Sequence, residues 1–270
     1  MIADEAAASA GSALADVEAL LLDLDGVVYR GANLLPGARE FFEYLRVTGL
    51  PFVALTNHSG RRAPEYAAKL ADLGVDVAAE RIVTSGWATA RYLAWSHPGA
   101  GVYVVGSPAL EQELLAEGCR VAARPQFVVT GFMAKIQHDR LLHATEHLLR
   151  GARLIATNPD PLLPVADGFI PECGPLTAFL ECAGNCRATV VGKPNPWIVD
   201  LAIERLGVPR DRCLIVGDTL ATDIAAGTAA GIRTALMLTG NTASPPEGFD
   251  GFVAADLHAL RRGLEGARPC

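Results

Sequence analysis

The sequence predicts an α/β protein, a mostly parallel sheet covered by helices and interrupted by a second, smaller α/β domain. Three observations predict it. Short, continuously apolar runs alternate with helix-period segments, as expected when a sheet is buried on both faces. Four polar stations each follow directly on one of those runs: Asp23-Leu24-Asp25-Gly26-Val27, Thr56-Asn57-His58-Ser59, Gly192-Lys193-Pro194, and Gly217-Asp218-Thr219 with Asp223 beyond it. All four lie in roughly residues 19–60 and 190–224, whereas residues 98–187 contain βαβ-like units of their own and no station, which marks an insertion.

In chain order the expected strands are Ala19–Leu22, Phe52–Thr56, Arg81–Thr84, Val102–Val105, Phe127–Thr130, Leu154–Thr157, Thr189–Val191, Cys213–Val216 and Thr234–Leu238. Helices are expected over Ala38–Val47, Glu65–Leu73, Ala88–Ala94, Leu110–Ala116, Arg140–Leu149, Leu176–Ala183, Trp197–Leu206 and Asp223–Ala230. Phe41, Phe42 and Leu45 give the first of these one apolar face. Several end at a glycine, such as Gly49 or Gly207, where a left-handed residue stops a helix cheaply. The domain lines follow: an N-terminal tail over 1–17, a discontinuous core over 18–97 and 188–270, and an inserted domain over 98–187. His97-Pro98-Gly99 and Ala183-Gly184-Asn185 are the hinge candidates.

Composition narrows the function classes. Half of the 270 residues are apolar and a fifth are charged, as in ordinary globular enzymes. A net charge of −7 argues against an electrostatic grip on nucleic acid. No apolar run approaches the ~18 residues of a membrane span. The Ala-rich start carries Asp4, Glu5 and Asp16 and no basic residue, so no signal peptide is expected. Six scattered cysteines, with only Cys182 and Cys186 close together and no zinc-type spacing, read as free thiols in a reducing cytoplasm.

The stations carry the chemistry. Buried strands of an open α/β sheet deliver ligand-binding groups at their carboxyl ends, so Asp23 and Asp25 are expected at the mouth of a site, projecting to one side. We assign Asp23 as a nucleophile, and Asp25 as the acid that protonates a leaving alcohol and then the base that activates water. Gly26 lets the backbone turn and bring amide donors to phosphate oxygens. A calcium loop starting at Asp23 is excluded, because its twelfth position is Leu34 rather than glutamate. Thr56 and Asn57 offer a hydroxyl and an amide to non-bridging phosphate oxygens, or merely cap a turn. Lys193 stands where a cation would neutralise a transferring phosphoryl group, the plainer reading being an exposed lysine at a helix start. Asp218 is the best partner to Asp23 for Mg2+, with the Asp25 carbonyl as a further ligand. Asp223 reads equally as a metal-supporting residue or as a helix-start acid.

Taken in this order, the stations resemble those of the haloacid dehalogenase-like (HAD) hydrolases, and within them the NagD-type, 4-nitrophenylphosphatase-like branch, subclass IIA. The likeness runs from about Val17 onward and is carried by Asp23–Val27, Leu55-Thr56-Asn57, Ala156-Thr157-Asn158-Pro159-Asp160, Gly192–Pro196 and Gly217–Asp223. It implies a Rossmann-like core with an inserted type-two (C2) α/β cap. It further implies a Mg2+-dependent phosphatase acting through an aspartyl-phosphate on Asp23, with Asp25 as acid/base. Thr56, Asn57, Lys193 and, by its motif, Asn158 would bind phosphate, Asp23, Asp25 and Asp218 would hold the metal, and Asp223 would support them. A homodimer through the cap is the family expectation. Three departures stand out: His58 in place of a frequent asparagine, Met133 and Ala134 in place of an aspartate–arginine pair, and Glu172-Cys173-Gly174 in place of a more glycine-rich turn. We expect Glu172 to overhang the site and select a polar or cationic leaving group. Expected substrates are small phosphomonoesters: nucleoside monophosphates, sugar phosphates, phosphoglycolate, pyridoxal phosphate and aryl phosphates. The alternatives are a phosphomutase on the same core, or a non-catalytic protein that binds a phosphorylated ligand.

Overall fold

Ala19–Asp23 must bury an unbroken apolar run on both faces, and it does so as an interior strand of a six-stranded sheet. The structure is a computed structural model and describes residues 14, 16–165 and 168–267. Of the expected 1–17 tail, Leu14 and Val17 are buried. Residues 1–13 and 15, and Cys270, lie outside the described residues.

By its contacts the chain forms two units, Met1–Leu55, Ala67–Ile82 and Val199–Cys270 in one, Thr56–Tyr66 and Val83–Ile198 in the other. Their limits differ from the expected lines after residues 97 and 187. One reason is that Thr189–Val190 hydrogen-bonds onto Arg153–Ala156 and so extends the second unit's sheet.

In the first unit the strand order is Phe252–Ala254, Arg233–Met237, Cys213–Gly217, Ala19–Asp23 and Phe52–Thr56, with Ile82–Thr84 at the far edge. The pairings across the first five are all parallel. The chain leaves Ala19–Asp23 toward Phe52–Thr56 on one side and later returns along Cys213–Gly217 on the other. The boundary between Ala19–Asp23 and Cys213–Gly217 is therefore a topological switch point, where open α/β sheets bind ligands. Ala38–Thr48 buries Ala38, Phe41, Phe42, Tyr44 and Leu45, and ends at Gly49 with φ 67°.

The second unit has a five-stranded sheet in the order Thr189–Val190, Arg153–Ala156, Phe127–Thr130, Gly101–Val105 and Arg120–Val121, parallel throughout. Helices His138–Leu149 and Cys173–Gly184 cover it through Val105, Val128, Met133, Leu141, Leu148, Leu176 and Leu180. Met133, one of the departures, is thus core, and Ala134 beside it is exposed. The Leu162–Val165/Gly168–Pro171 hairpin was not foreseen from the sequence.

Candidate active site

Strand register places the first group of carboxylates. Leu22 pairs with Val216, so Asp23 ends its strand opposite Gly217, and Asp218 emerges next to it at the same sheet edge. Leu220–Ile224 then makes a single wide π-helical turn instead of the expected start of an α-helix, and this turn carries Asp223. One carboxylate oxygen each from Asp23, Asp218 and Asp223 lies within 4.8 Å of the others. All three residues are buried, at 7%, 2% and 1% exposure. Buried carboxylates are costly unless hydrogen-bonded or neutralised. Asp223 Oδ2 accepts from Thr219 N at 3.1 Å, Asp218 Oδ1 from Thr219 Oγ1 at 3.2 Å, and Asp218 Oδ2 from Asn241 N at 2.5 Å.

Three glycines make room for them. A Cβ on Gly26, whose φ is 89°, would lie 2.6 Å from Asp218 Oδ2. A Cβ on Gly240 would collide with the same carboxylate, and one on Gly217 with Asp223. The result is a cradle of oxygen donors with hydrogen-bonded flanks, and that donor set fits a hard divalent cation.

Asp25 lies two residues beyond Asp23 and is partly exposed. Tyr29 Oη donates to Asp25 Oδ2 at 3.2 Å, and Lys69 Nζ sits 3.4 Å above the Tyr29 ring, a cation–π contact that fixes the ring. The turn between them is closed by Gly26 N to Tyr29 O, 2.9 Å, and by Thr239 Oγ1 to Gly26 O, 2.6 Å.

The other predicted residues meet in the second unit. Val190 pairs with Ala156, and Gly192 N donates to Thr157 O at 2.9 Å, which brings Lys193 out beside Asn158. Lys193 is 2% exposed, so the solvated-lysine reading fails. Asn57 and Lys193 bond reciprocally: Lys193 N donates to Asn57 Oδ1 at 2.9 Å and Asn57 Nδ2 donates to Lys193 O at 3.0 Å. The second Nδ2 hydrogen goes to Asp160 Oδ2 at 3.0 Å. Both donors of the amide are spent, so here the Asn57 side chain serves Lys193 rather than a ligand. Asn158 is likewise occupied, donating to Asn57 O at 2.6 Å and accepting from Asp160 N at 2.9 Å. Thr56 Oγ1 accepts from His58 N at 3.1 Å.

Glu172 does not stand open. It is 2% exposed, its Oε1 lies 2.8 Å from His58 Nδ1, and its Oε2 caps the helix at Cys173 N. A carboxylate with two protein partners is poorly placed to select a leaving group, contrary to the overhang expected from the sequence. Burial and the adjacent Glu172 raise the Cys173 thiol above the usual range.

Comparison with known proteins identifies the family. The family described as haloacid dehalogenase-like hydrolase matches residues 20–120, and the one described as HAD-hydrolase-like matches residues 190–260. The acid sugar phosphatase of Staphylococcus aureus strain MRSA252 is 35% identical over 225 residues, 83% of this chain and 87% of that protein. The chain belongs to the haloacid dehalogenase-like hydrolases. The 4-nitrophenylphosphatase of Thermotoga maritima matches with a TM-score of 0.88 and 36% identity, over 93% of this chain and 99% of that one. NagD from the E. coli K-12 strain matches at 0.82 and 34%, over 89% and 97%. The HAD chain is thus of the NagD type, subclass IIA: an α/β enzyme with a Rossmann-like core and an inserted α/β cap of type two, hydrolysing phosphomonoesters. Among the described residues no helix is long and apolar enough to cross a membrane.

Sequence reasoning quoted Asp160 only as part of a motif, without a role, and missed the parts played by Tyr29, Thr239 and Asn241. The last two had a usable signal, since Thr239-Gly240-Asn241 follows the apolar run Thr234–Leu238 as the other stations follow theirs.

Proposed function

We propose that this HAD enzyme is a Mg2+-dependent phosphatase of small phosphomonoesters, working through an aspartyl-phosphate on Asp23. The observation that carries this reading is the buried Asp23–Asp218–Asp223 cluster at the sheet's switch point. Asp23 attacks phosphorus and the ester oxygen departs with a proton from Asp25. Asp25, now a base, takes a proton from the water that cleaves the acyl phosphate, returning Asp23 and releasing inorganic phosphate. Tyr29 Oη holds the Asp25 carboxylate in orientation for both transfers. Thr56 and Lys193 bind the phosphoryl oxygens, and Asn57 positions Lys193. Mg2+ would be held by Asp23, Asp218 and the Asp25 carbonyl with Asp223 in support, and would supply charge neutralisation at the phosphoryl group.

Sugar phosphates head the substrate classes because an acid sugar phosphatase is among the relatives. Nucleoside monophosphates, phosphoglycolate, pyridoxal phosphate and aryl phosphates complete the set. The reading also takes the enzyme to be cytoplasmic and a homodimer through its cap. The deciding experiment is phosphate release from 4-nitrophenyl phosphate and a phosphomonoester panel. Release lost in EDTA, restored by Mg2+ and absent in Asp23→Asn is the expected result. Persistent release in Asp23→Asn refutes the covalent route. Transfer to a second sugar hydroxyl without free phosphate would instead make it a mutase.

A further inference from the structure

Two of the three departures from the family pattern, His58 and Glu172, are 114 positions apart in the chain, yet they form a pair in which Glu172 is buried and His58 is partly buried. Neither has an assigned part in the chemistry above. The pair closes a circuit of contacts. His58 follows Asn57, whose amide grips the Lys193 backbone and the Asp160 carboxylate. Asp160 O in turn accepts from Gly174 N at 2.9 Å, and Pro161 O accepts from Glu172 N at 3.1 Å. Glu172 then returns to His58, so the loop after Phe52–Thr56 and the start of helix Cys173–Gly184 are tied at two points on opposite sides.

The loop has little freedom inside this circuit. The His58 ring meets Phe132 edge-on with centroids 4.4 Å apart. Phe132 N donates to Ser59 Oγ at 2.9 Å, and Thr157 Oγ1 donates to the same oxygen at 3.1 Å. A Cβ on Gly60 would collide with the His58 ring and lie 2.7 Å from Phe132. A fixed ring against a carboxylate anchored on a 12-residue helix is a rigid strut.

We propose that the His58–Glu172 pair is a positioning device that sets the Thr56–Asn57 loop, and through Asn57 the Lys193 backbone, for binding the phosphoryl group. The inference rests on the reading that Thr56 and Lys193 bind that group. Neither His58 nor Glu172 touches the substrate in this scheme.

The test uses inorganic phosphate as probe, its binding measured by calorimetry, beside kcat and KM for 4-nitrophenyl phosphate. His58→Ala removes the pair and leaves the helix cap. Glu172→Asp keeps a capping carboxylate but draws it back from the ring. Each single variant is expected to weaken phosphate binding and lower kcat/KM by roughly five- to tenfold, with the double variant no worse than the weaker single. Wild-type phosphate affinity with only a lowered melting temperature would overturn the proposal. So would a double-variant loss equal to the product of the singles, or failure of both singles to fold, since the pair would then serve stability alone. Phosphate binding is read without turnover, so a wild-type enzyme that binds phosphate but releases none from esters refutes the hydrolytic reading and leaves this one standing.

Discussion

Replacing Asp218 by asparagine should make the metal-free protein more stable while destroying its response to Mg2+. The carboxylate oxygens of Asp23, Asp218 and Asp223 lie within 4.8 Å of one another. At an effective dielectric constant of about 20, two charges at that separation repel by roughly 3.5 kcal/mol. Asp218→Asn removes two of the three repulsions, a gross gain of roughly 7 kcal/mol on the same scale. Two losses oppose it. Asp218 accepts from both Thr219 Oγ1 and Asn241 N, and an asparagine can accept on one side only, which costs about 1–3 kcal/mol. The favourable partners of the carboxylate elsewhere are weakened too. On that scale the balance favours the variant by about 4–6 kcal/mol before the weakened partners are counted, so the melting temperature should rise, by roughly 2–4 °C for each kcal/mol retained. Thermal melts in EDTA and in Mg2+ read both effects. Wild type should rise with Mg2+ by mass action, about 2.7 kcal/mol at a hundredfold excess over Kd, and Asp218→Asn should not. A variant that melts below wild type in EDTA, or still gains from Mg2+, would refute the picture of a repulsive cluster awaiting a cation.

Gly26→Ala should abolish phosphatase activity in a folded protein, because φ 89° is strained for alanine and its Cβ would press on Asp218 Oδ2 at 2.6 Å; near-wild-type turnover would contradict the cradle. Thiol titration should find Cys182, which is exposed, reactive in the native state, and Cys173, which is buried, reactive only after unfolding. Burial keeps the Cys173 thiol protonated above the usual thiol range, so on raising pH the unfolded chain ionises first. Stability should therefore fall as pH climbs past about 9 toward the folded thiol's higher value, and Cys173→Ala should fall less steeply over that window.

The nine apolar runs read as strands all form strands, each within about a residue of its expected limits. The signal is local: a run that must be dry on both faces has few other solutions. Because parallel strands deliver their following residues to one sheet edge, Asp23 and Asp218 could be picked as partners before any contact was known. Phe252–Ala254 was not foreseen, since a three-residue edge strand carries little periodic signal, whereas the helix Leu257–Ala267 was overlooked despite the helical spacing of Leu257, Leu260 and Leu264.

The sequence by itself determined the sheet, its chemistry-bearing edge and the kinds of groups placed there. Tertiary structure alone decided which group each polar side chain answers to. Asn57 could as well have faced a ligand as Lys193, Glu172 could have stood open instead of meeting His58, and Asp223 joins Asp23 and Asp218 only because Leu220–Ile224 winds as a wide turn. The reason is physical. Hydrophobic burial is non-directional and leaves its mark in the spacing of one segment. A buried hydrogen bond needs a partner at about 3 Å with correct direction, and that partner is supplied by chain a hundred residues away.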